Sequence, residues 1–395
     1  MTIIADLHIH GKYSRATSKD LTLPKLEKYA KIKGVSLLGT GDFTHPQWIE
    51  HLKESLIRKE NEIYYTKTNF PFMLTTEISL VYTQDNKGRR VHNLVLAPSF
   101  EVVSQITEWL KTKGRVDYDG RPIFKIPCPE FVESLRSISK DIEVIPAHIW
   151  TPWFGLLGSN SGFNSVQEAF HDQTKYIHAL ETGLSSDPIM NWRLSQLDKY
   201  SLVSFSDLHS FWPHKIGREA TIFDCKLSYD SIIKSLHTKE RLAGTIEVDP
   251  AYGKYHIDGH RNCNVALKPD ESVKLNNICP KCNKGLTIGV EHRIEELADR
   301  LYGFKPADAK TYHTLIPLSE IISAIMGRGI MTKSVVQEYN KISKIGHEFK
   351  ILLHTPREEL IKYTDIKIAD AIIRYRNGEV KIEPGYDGVY GKPLF

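Results

Sequence analysis

The feature that most constrains the fold is the recurrence of short apolar segments that end in metal-binding residue types. One such segment leads to His8 and His10, and another, in mid-chain, leads to Asp207 and His209. Alternate residues of a strand point to the same face, so His8 and His10 can contact one ion. Imidazole and carboxylate ligands together favour zinc, manganese or iron. The sequence therefore predicts a metal site formed at the ends of strands.

The alternation of predicted strands and helices up to residue 245 indicates an α/β fold. Strands are predicted at residues 35–39, 72–76, 92–97, 143–147, 177–180 and 202–205, and helices at 100–113, 130–139 and 187–198. This order favours parallel strands with crossover helices, and about seven units suit a distorted (βα)7 barrel. Active sites of such barrels form at the carboxyl ends of the strands. Further candidate ligands stand there: Asp42, Glu77, His148 and Glu181, with His92 at the start of its strand.

A second metal site is predicted between residues 246 and 288. Four residues have the spacing of a zinc ribbon in which one histidine replaces a cysteine: His260, Cys263, Cys279 and Cys282. His256 is the alternative fourth ligand. A closed site of four ligands is structural, because it folds a segment too short to bury its own core.

The remainder of the chain is predicted to be helical, at residues 290–301, 318–326, 334–342 and 366–375. The segment that begins at Thr364 resembles the second half of a helix-hairpin-helix, a module that binds DNA phosphates at helix N-termini. Asp365 stands where that module carries a glycine. The predicted organisation is a barrel at 1–245, a zinc module at 246–288 and a helical, DNA-interacting region at 289–395.

The composition and the N-terminal sequence indicate the cellular compartment more clearly than the binding partner. The net charge of +4 over 395 residues does not by itself indicate nucleic acid. The N-terminus lacks the basic and apolar regions of a signal peptide, and no apolar stretch approaches the roughly 20 residues of a membrane span. Three of the five cysteines are clustered, which suits metal binding better than disulfides. We expect a cytoplasmic, nucleoid-associated protein.

Several short motifs resemble those of the PHP (polymerase and histidinol phosphatase) superfamily of metal phosphoesterases: DLHIH at 6–10, GTGD at 39–42, TE at 76–77, PAH at 146–148 and FSDLH at 205–209, with His92. The resemblance implies one metal on His8, His10, Glu77 and Asp207. It also implies that Glu77 bridges to a second metal held by His92 and His148. Asp42 and His209 are candidates for a third metal. Two of the three histidines that hold it in other members are replaced here, the first by Arg15 or its neighbours and the second by Phe43.

This arrangement suits phosphodiester hydrolysis. Paired metals about 3.5–4 Å apart lower the pKa of water to about 7 and clamp the attacking and leaving oxygens. We expect metal-activated water to attack phosphorus in line, with zinc, manganese or magnesium as the ion. Arg15 and Arg218 are candidates to hold phosphate oxygens, and a structural salt bridge is the alternative for each. The predicted catalytic residues are Glu77, Asp207, Asp42, His209, Arg15 and Arg218.

Over nearly its whole length the chain resembles the endonuclease Q family of DNA repair enzymes. The resemblance rests on the segments DLHIHGKYSRATSKDL, LLGTGDFTHPQW, IPAHIWTPWFG, ETGLSSDPIMNWRLS, LTIGVEHRIEELADR and PGYDGVYG, and on the zinc ribbon. It implies cleavage of DNA on the 5′ side of uracil, hypoxanthine, xanthine or an abasic site. DNA is the expected partner, and a sliding clamp is a candidate one.

The loop at residues 149–163 is dense in aromatic, glycine and small polar residues. An enzyme that inspects a base must extrude it from the helix and stack it in a pocket. Trp150, Trp153, Phe154 and Glu181 are therefore the predicted substrate-binding residues. The alternative is a loop packed by its own tryptophans.

Two other functions remain open at this point. The first is a small-molecule phosphatase of the histidinol-phosphatase type, for which residues 246–395 would be dispensable. The second is a non-catalytic, zinc-stabilised DNA-binding protein, against which stands the complete set of predicted ligands.

Overall fold

The computed structural model describes residues 1–395. Its strands are β1 (Thr2–Asp6), β2 (Leu37–Gly39), β3 (Ile57–Arg58), β4 (Tyr64–Tyr65), β5 (Pro71–Gln84), β6 (Lys87–Ala97), β7 (Ile123–Phe124), β8 (Glu143–Pro146), β9 (Ala179–Glu181), β10 (Ser201–Val203), β11 (Ala220–Asp224), β12 (Leu242–Glu247), β13 (Asp258–His260), β14 (Val265–Leu267), β15 (Thr311–Thr314), β16 (Lys381–Glu383) and β17 (Lys392–Leu394). Its α-helices are α1 (Leu23–Lys33), α2 (Pro46–Ser55), α3 (Phe100–Lys113), α4 (Cys128–Ile138), α5 (Val166–Phe170), α6 (Pro188–Asn191), α7 (Tyr229–Thr238), α8 (Pro269–Lys274), α9 (Val290–Leu297), α10 (Leu318–Met326), α11 (Lys333–Ile342), α12 (Glu348–Leu353), α13 (Arg357–Leu360) and α14 (Ile366–Arg376). None of these helices combines the length and the apolar character that a membrane span requires.

The central sheet has eleven strands, in the order β15-β12-β11-β1-β2-β5-β4-β3, with β6 and β7 paired to β5 and β8 paired to β6. β1, β2 and β5 are parallel neighbours, as predicted. Other pairs of the sheet are antiparallel, among them β5 with β6, β6 with β8 and β1 with β11. The mixed α/β class is confirmed, and the sheet combines the expected parallel strands with antiparallel ones that were not predicted.

The antiparallel pair β5–β6 results from a two-residue turn. Asp85 and Asn86 have φ values of 52° and 60°, as in a type I′ hairpin turn. A connection this short can join only antiparallel strands, because a parallel crossover needs about a dozen residues. The hairpin places Glu77 opposite Leu94 and Ser79 opposite His92. Glu77 and His92 therefore lie on the same face of neighbouring strands, within contact distance.

Seven strands surround the candidate site: β1, β2, β5, β6, β8, β9 and β10. β9 and β10 form a parallel pair of their own. The backbone N–H of Ile149, after β8, donates to the carbonyl of Glu181 at 3.0 Å. A bridge between Ile9 and Leu208 connects the segments that follow β1 and β10. No ladder joins β8 to β9 or β10 to β1, so the closed seven-stranded barrel stays a prediction.

The prediction of one helix at residues 187–198 was wrong. Only α6, capped by the Asp187 side chain, and a 3-10 turn at Ser195–Leu197 are present. The carbonyl of Arg193 accepts the backbone N–H groups of Asp299 and Arg300 instead of continuing a helix. This contact with a distant segment is not readable from local periodicity.

The chain beyond residue 246 returns to the central sheet. β13 and β14 form a short antiparallel hairpin that carries two of the zinc-ligand candidates, His260 and Cys263, and the other two follow α8. β15, which follows them, pairs in parallel with β12 at the edge of the main sheet. The predicted boundaries at 245 and 288 stay predictions.

A buried network joins the C-terminal helices to the N-terminal region. Lys33 Nζ lies 2.6 Å from Glu348 Oε1, which also accepts the backbone N–H of Leu318 at 2.9 Å. The Tyr339 hydroxyl donates to the other carboxylate oxygen at 2.8 Å. Lys33 and Glu348 are almost fully buried. Breaking such a pair leaves an uncompensated charge in the interior, which destabilises a protein by about 3–5 kcal/mol.

Candidate active site

Four side chains converge on one group of ligand atoms: His8 and His10, which follow β1, Glu77, which lies within β5, and Asp207, which follows β10. His10 Nε2 lies 3.0 Å from Asp207 Oδ1 and 3.2 Å from Glu77 Oε2. His8 Nε2 lies 3.6 Å from the same Glu77 oxygen and 3.7 Å from Asp207 Oδ1. The ligand atoms of the group are within 4.8 Å of one another. One ion fits among them.

Glu77 also belongs to a second group, with His92 and His148. Its Oε1 lies 2.6 Å from His92 Nδ1 and 3.1 Å from His148 Nε2, whereas Oε2 faces the first group. Burial raises the pKa of Glu77, but the neighbouring His92, Arg121 and His8 outweigh it and hold the pKa well below its usual range. The carboxylate is therefore ionised, with one oxygen toward each group.

The donor set fits divalent metal ions. His8 Nε2 is buried and has no hydrogen-bond partner, which is costly for a polar atom unless a ligand satisfies it. His8 Nδ1 lies 2.9 Å from Glu181 Oε1, so that an Nδ1–H donates and the Nε2 lone pair faces the group. Such carboxylate–histidine pairs are typical of metal centres.

Glu181 is a positioning residue in this structure, contrary to the prediction that it binds substrate. It is fully buried. Besides the His8 ring it accepts the backbone N–H of His148 at 2.7 Å. One carboxylate thus orients one ligand from each of the two groups, and it has no surface left for a substrate.

Asp42 orients the ring of His10, as Glu181 orients that of His8. Its Oδ1 lies 3.0 Å from His10 Nδ1, and its Oδ2 accepts from the Gly11 backbone and the Ser14 hydroxyl. His209 Nδ1 lies 3.7 Å from Asp207 Oδ1. The ligand atoms of Asp42 and His209 join no group of three. The third metal position stays a prediction.

Three residues of the site have left-handed backbone conformations. Asp42, His148 and Asp207 have φ values of 48°, 32° and 47°. Non-glycine residues adopt this region at a cost of order 1–3 kcal/mol, and such strain clusters at functional sites. Each of the three follows the end of a strand, where the backbone turns sharply and directs the side chain toward the centre.

Arg121 is a site residue that the sequence did not reveal. Its Nη1 lies 3.2 Å from Glu77 Oε2, and its side chain is 27% exposed. The Glu77 carboxylate is the main cause of its raised pKa. Arg121 stands in the loop before β7 and follows no strand end, so no spacing pointed to it. The pairing of β7 with β5 brings it to the site.

The two predicted phosphate-binding arginines have different surroundings. Arg15 is 74% exposed and pairs with Asp119 at 3.4 Å. Arg218 donates through Nε to the carbonyl of Ser206 at 2.9 Å, next to Asp207 in the chain. Neither contacts the ligand groups directly, and their phosphate-binding role stays a prediction.

The aromatic loop is divided between the interior and the rim. Trp150 is fully buried and donates its indole N–H to Asn191 at 2.8 Å. The prediction that it binds substrate is therefore corrected, because a side chain without exposed surface cannot stack on a base. Trp153 is half-buried and meets Tyr255 edge-on at 5.4 Å. Phe154 is half-buried, with its ring centroid 4.4 Å from that of His92.

The zinc-ribbon candidates also come together: His260, Cys263, Cys279 and Cys282. Their ligand atoms are within 4.8 Å of one another, and His260 Nδ1 lies 3.6 Å from Cys282 Sγ. His256 lies outside this group. The residue is half-buried, its Nδ1 is buried and unpartnered, and desolvation lowers its pKa to about 4. The geometry favours His260 as the fourth ligand.

Two comparisons of sequence place the chain among known proteins. Residues 317–379 match the family model described as the MJ0043 C-terminal domain. The chain is 33% identical over 253 residues to the uncharacterized protein MJ0043 of Methanocaldococcus jannaschii, a match that covers 62% of this chain but only 31% of that protein. It is 28% identical over an alignment of 412 residues to the uncharacterized protein YqxK of Bacillus subtilis, which covers 99% of this chain and 98% of that protein.

Two solved structures are similar over the full length. The lesion-specific endonuclease PfuEndoQ from Pyrococcus furiosus superposes with a TM-score of 0.89 at 32% identity, covering 100% of this chain and 96% of that one. Endonuclease Q in complex with a 27-mer duplex substrate, with an abasic lesion at the active site, gives a TM-score of 0.90 at 32% identity and covers 100% and 97%. Since both similarities extend over nearly the whole of both chains, this protein belongs to the endonuclease Q family.

Proposed function

We propose that this protein is a metal-dependent DNA endonuclease that cuts next to deaminated bases and abasic sites. The observation that carries the proposal is the pair of ligand groups that share Glu77, on a chain similar from end to end to lesion-specific endonucleases. A complete pair of groups argues against a purely DNA-binding role. The continuity of the similarity through residues 246–395 argues against a small-molecule phosphatase.

The proposed ligands are His8, His10, Glu77 and Asp207 for one ion, and Glu77, His92 and His148 for the other. When bound, two divalent ions there supply a water of lowered pKa and Lewis-acid stabilisation of the phosphorane-like transition state. Glu181 and Asp42 fix the tautomers of His8 and His10, so that each presents its Nε2 lone pair. The Glu77 carboxylate, with one oxygen toward each ligand group, would hold both ions.

The substrate approaches from the side where the site is open. Three side chains there are about a third exposed or slightly less: Arg121 at 27%, Asp207 at 29% and His209 at 31%. The Arg121 guanidinium holds a fixed positive charge beside Glu77. It is suited to pair with a non-bridging phosphate oxygen through its free N–H groups. Arg15 and Arg218 extend this positive charge outward in the proposal.

Lesion recognition is assigned to the rim loop. We propose that the damaged nucleotide leaves the duplex and stacks against Phe154 and Trp153, whose rings are half-buried. Phe154 adjoins the metal ligand His92, so a base held there places its phosphate near the ions. Deaminated and abasic nucleotides are unstacked more readily than paired ones, which contributes to selectivity.

The same proposal assigns a separate role to each of three regions of the chain. Residues 1–245 carry the catalytic groups, residues 246–288 hold a structural zinc through His260 and three cysteines, and residues 289–395 contact DNA. Cleavage on the 5′ side of the lesion would leave a 3′-hydroxyl and a 5′-phosphate. A sliding clamp is a candidate partner in the same proposal.

The test uses labelled duplexes that differ at one position: cytosine against uracil, adenine against hypoxanthine, and an abasic site against a normal nucleotide. We expect scission 5′ of the altered nucleotide alone, with ends that a ligase can rejoin. Asp207→Asn should abolish it, and Asp224→Asn, which changes an exposed carboxylate at the end of β11, should not. Equal scission of undamaged duplexes, or hydrolysis of a small phosphate monoester without any scission, would contradict the proposal.

A further inference from the structure

A third group of metal-ligand residues lies away from both sites described above. It consists of Glu143, His178 and His237. Glu143 is the first residue of β8, and His178 directly precedes β9, so both stand at the amino ends of their strands. His148 follows the carboxyl end of β8, five residues or about 17 Å from Glu143 along an extended chain. The cluster and the active site are therefore at opposite ends of the strands.

The three side chains are arranged around a common point. Glu143 Oε1 lies 3.1 Å from His178 Nδ1, and Oε2 lies 2.7 Å from His237 Nε2. The two imidazole rings stack with centroids 3.6 Å apart. All ligand atoms are within 4.8 Å of one another. An ion that binds at about 2.0–2.2 Å from each atom fits this spacing after small side-chain rotations.

Burial and access also suit an ion. Glu143 is 2% exposed, so its charge requires a counter-charge close by. His178 and His237 are 23% and 34% exposed, which leaves one side of the cluster open to water. His237 also lines a surface cavity of about 250 Å³, together with Asp141, Asp230, Lys140 and Lys234. Water can therefore reach His237.

A divalent ion suits the charges of this cluster. Two imidazolium rings stacked at this distance would repel each other. A divalent ion takes the lone pairs of two neutral imidazoles and balances the buried carboxylate at the same time. Two histidines with one carboxylate are a common ligand set for divalent transition metals.

We propose that Glu143, His178 and His237 bind a late first-row divalent metal ion such as zinc, with water at the open positions. The ion would join β8, the start of β9 and the last turn of α7. This site is distinct from the catalytic pair and from the zinc ribbon, and it does not depend on the proposed nuclease activity. Its effect would be on the stability of the folded chain.

The test measures metal content on the full-length chain. Chelator-treated protein is saturated with zinc, freed of excess ion by gel filtration and analysed by mass spectrometry. His178→Gln and His237→Gln keep an N–H donor for Glu143 but weaken metal ligation. We expect each variant to retain about one metal equivalent less than wild type. A rise of about 10–100-fold or more in Kd is enough to empty the site during gel filtration. The matched control is His354→Gln, an exposed histidine outside every ligand group.

Unchanged metal content in both folded variants would overturn the proposal and identify the cluster as an ion-free hydrogen-bonded trio. If either variant fails to fold, anomalous diffraction at the zinc edge from wild-type crystals decides the question. A peak within about 2.0–2.2 Å of the three ligand atoms supports the proposal. The absence of a peak there, with peaks present at the zinc ribbon, overturns it.

Discussion

Replacing Glu181 with glutamine tests how much of the site depends on a fully buried carboxylate that lies outside both ligand groups. Glu181 accepts from His8 Nδ1 at 2.9 Å and from the backbone N–H of His148 at 2.7 Å, and it is fully buried. Glutamine has the same shape, but it offers one acceptor oxygen instead of two and carries no charge. If the amide oxygen keeps the His148 contact, its NH₂ group faces His8 Nδ1. The His8 ring is then favoured in the other tautomer, with a proton on the nitrogen that should bind metal.

The size of the effect follows from what is lost. A hydrogen bond to a charged group contributes about 1.5–3 kcal/mol. At about 1.4 kcal/mol for each factor of ten, this corresponds to a loss of roughly 10- to 150-fold in metal affinity. Substitutions of the groups that orient metal ligands usually reduce affinity or activity by about 10- to 100-fold, which is the same range. We expect Glu181→Gln to fall within it.

The assay is single-turnover cleavage of an abasic-site duplex as a function of metal concentration. The variant should need more metal for half-maximal rate and should approach the wild-type rate at saturation. The matched control is Glu219→Gln, because burial raises the pKa of Glu219 to about 8 and the side chain is already neutral at pH 7. A Glu181 variant with the wild-type metal dependence would show that Glu181 does not position the metal ligands, as would an equal loss in the control.

Three further predictions concern stability and selectivity. Glu348→Ala should lower the free energy of unfolding by about 3–5 kcal/mol, because it leaves Lys33 buried without a counter-charge; denaturant titration measures this, with cleavage retained at low denaturant. Glu219 binds its proton more tightly in the folded state, so its contribution to stability is present below pH 4.5 and is lost as the pH rises to about 8. Glu219→Gln should therefore flatten the dependence of the thermal midpoint on pH in that window. Trp153→Ala should reduce discrimination between lesion and normal duplexes without loss of metal, whereas Trp150→Ala should destabilise the fold by about 3–5 kcal/mol.

Each of these has a clear contrary result. An unchanged denaturant midpoint in Glu348→Ala would show that Lys33 is solvated in solution. A Glu219→Gln profile parallel to wild type would assign the pH dependence to other groups, of which the buried neighbour Glu247 is the first candidate. Equal discrimination by Trp153→Ala would remove that ring from lesion recognition. A fully stable Trp150→Ala would be incompatible with its place in the core.

The sequence predicted the ligand positions because they depend on local rules. His8 and His10 are two residues apart after a strand, and the strand's own geometry places them on one face. Asp207 follows a strand whose apolar character is evident in the printed chain. To predict these parts of the site, it is enough to know that alternate residues of a strand share a face and that neighbouring strands end at the same rim.

Other parts of the site could not be read in this way, because they result from contacts between distant segments. Arg121 reaches Glu77 through the pairing of β7 with β5. Glu181 stands at the end of a strand as predicted, yet its contact is with His8, which lies far from it in sequence. Trp150 and Trp153 are the same residue type in the same loop. Only the packing of the folded chain shows that Trp150 lies in the core and Trp153 at the rim. The turn at Asp85 was readable from residue type, although the strand pattern alone suggested separate parallel units.

In the proposed function, two metal ions lie on either side of the Glu77 carboxylate. Electron paramagnetic resonance of the manganese-loaded protein tests it most directly, because two manganese ions bridged by a carboxylate about 3.5–4 Å apart are magnetically coupled. We predict a spin-coupled signal in wild type that changes to the spectrum of isolated ions in Glu77→Gln, together with the loss of duplex cleavage. A wild-type spectrum of isolated manganese alone, in protein that cleaves lesion-containing DNA, would contradict the bridged pair.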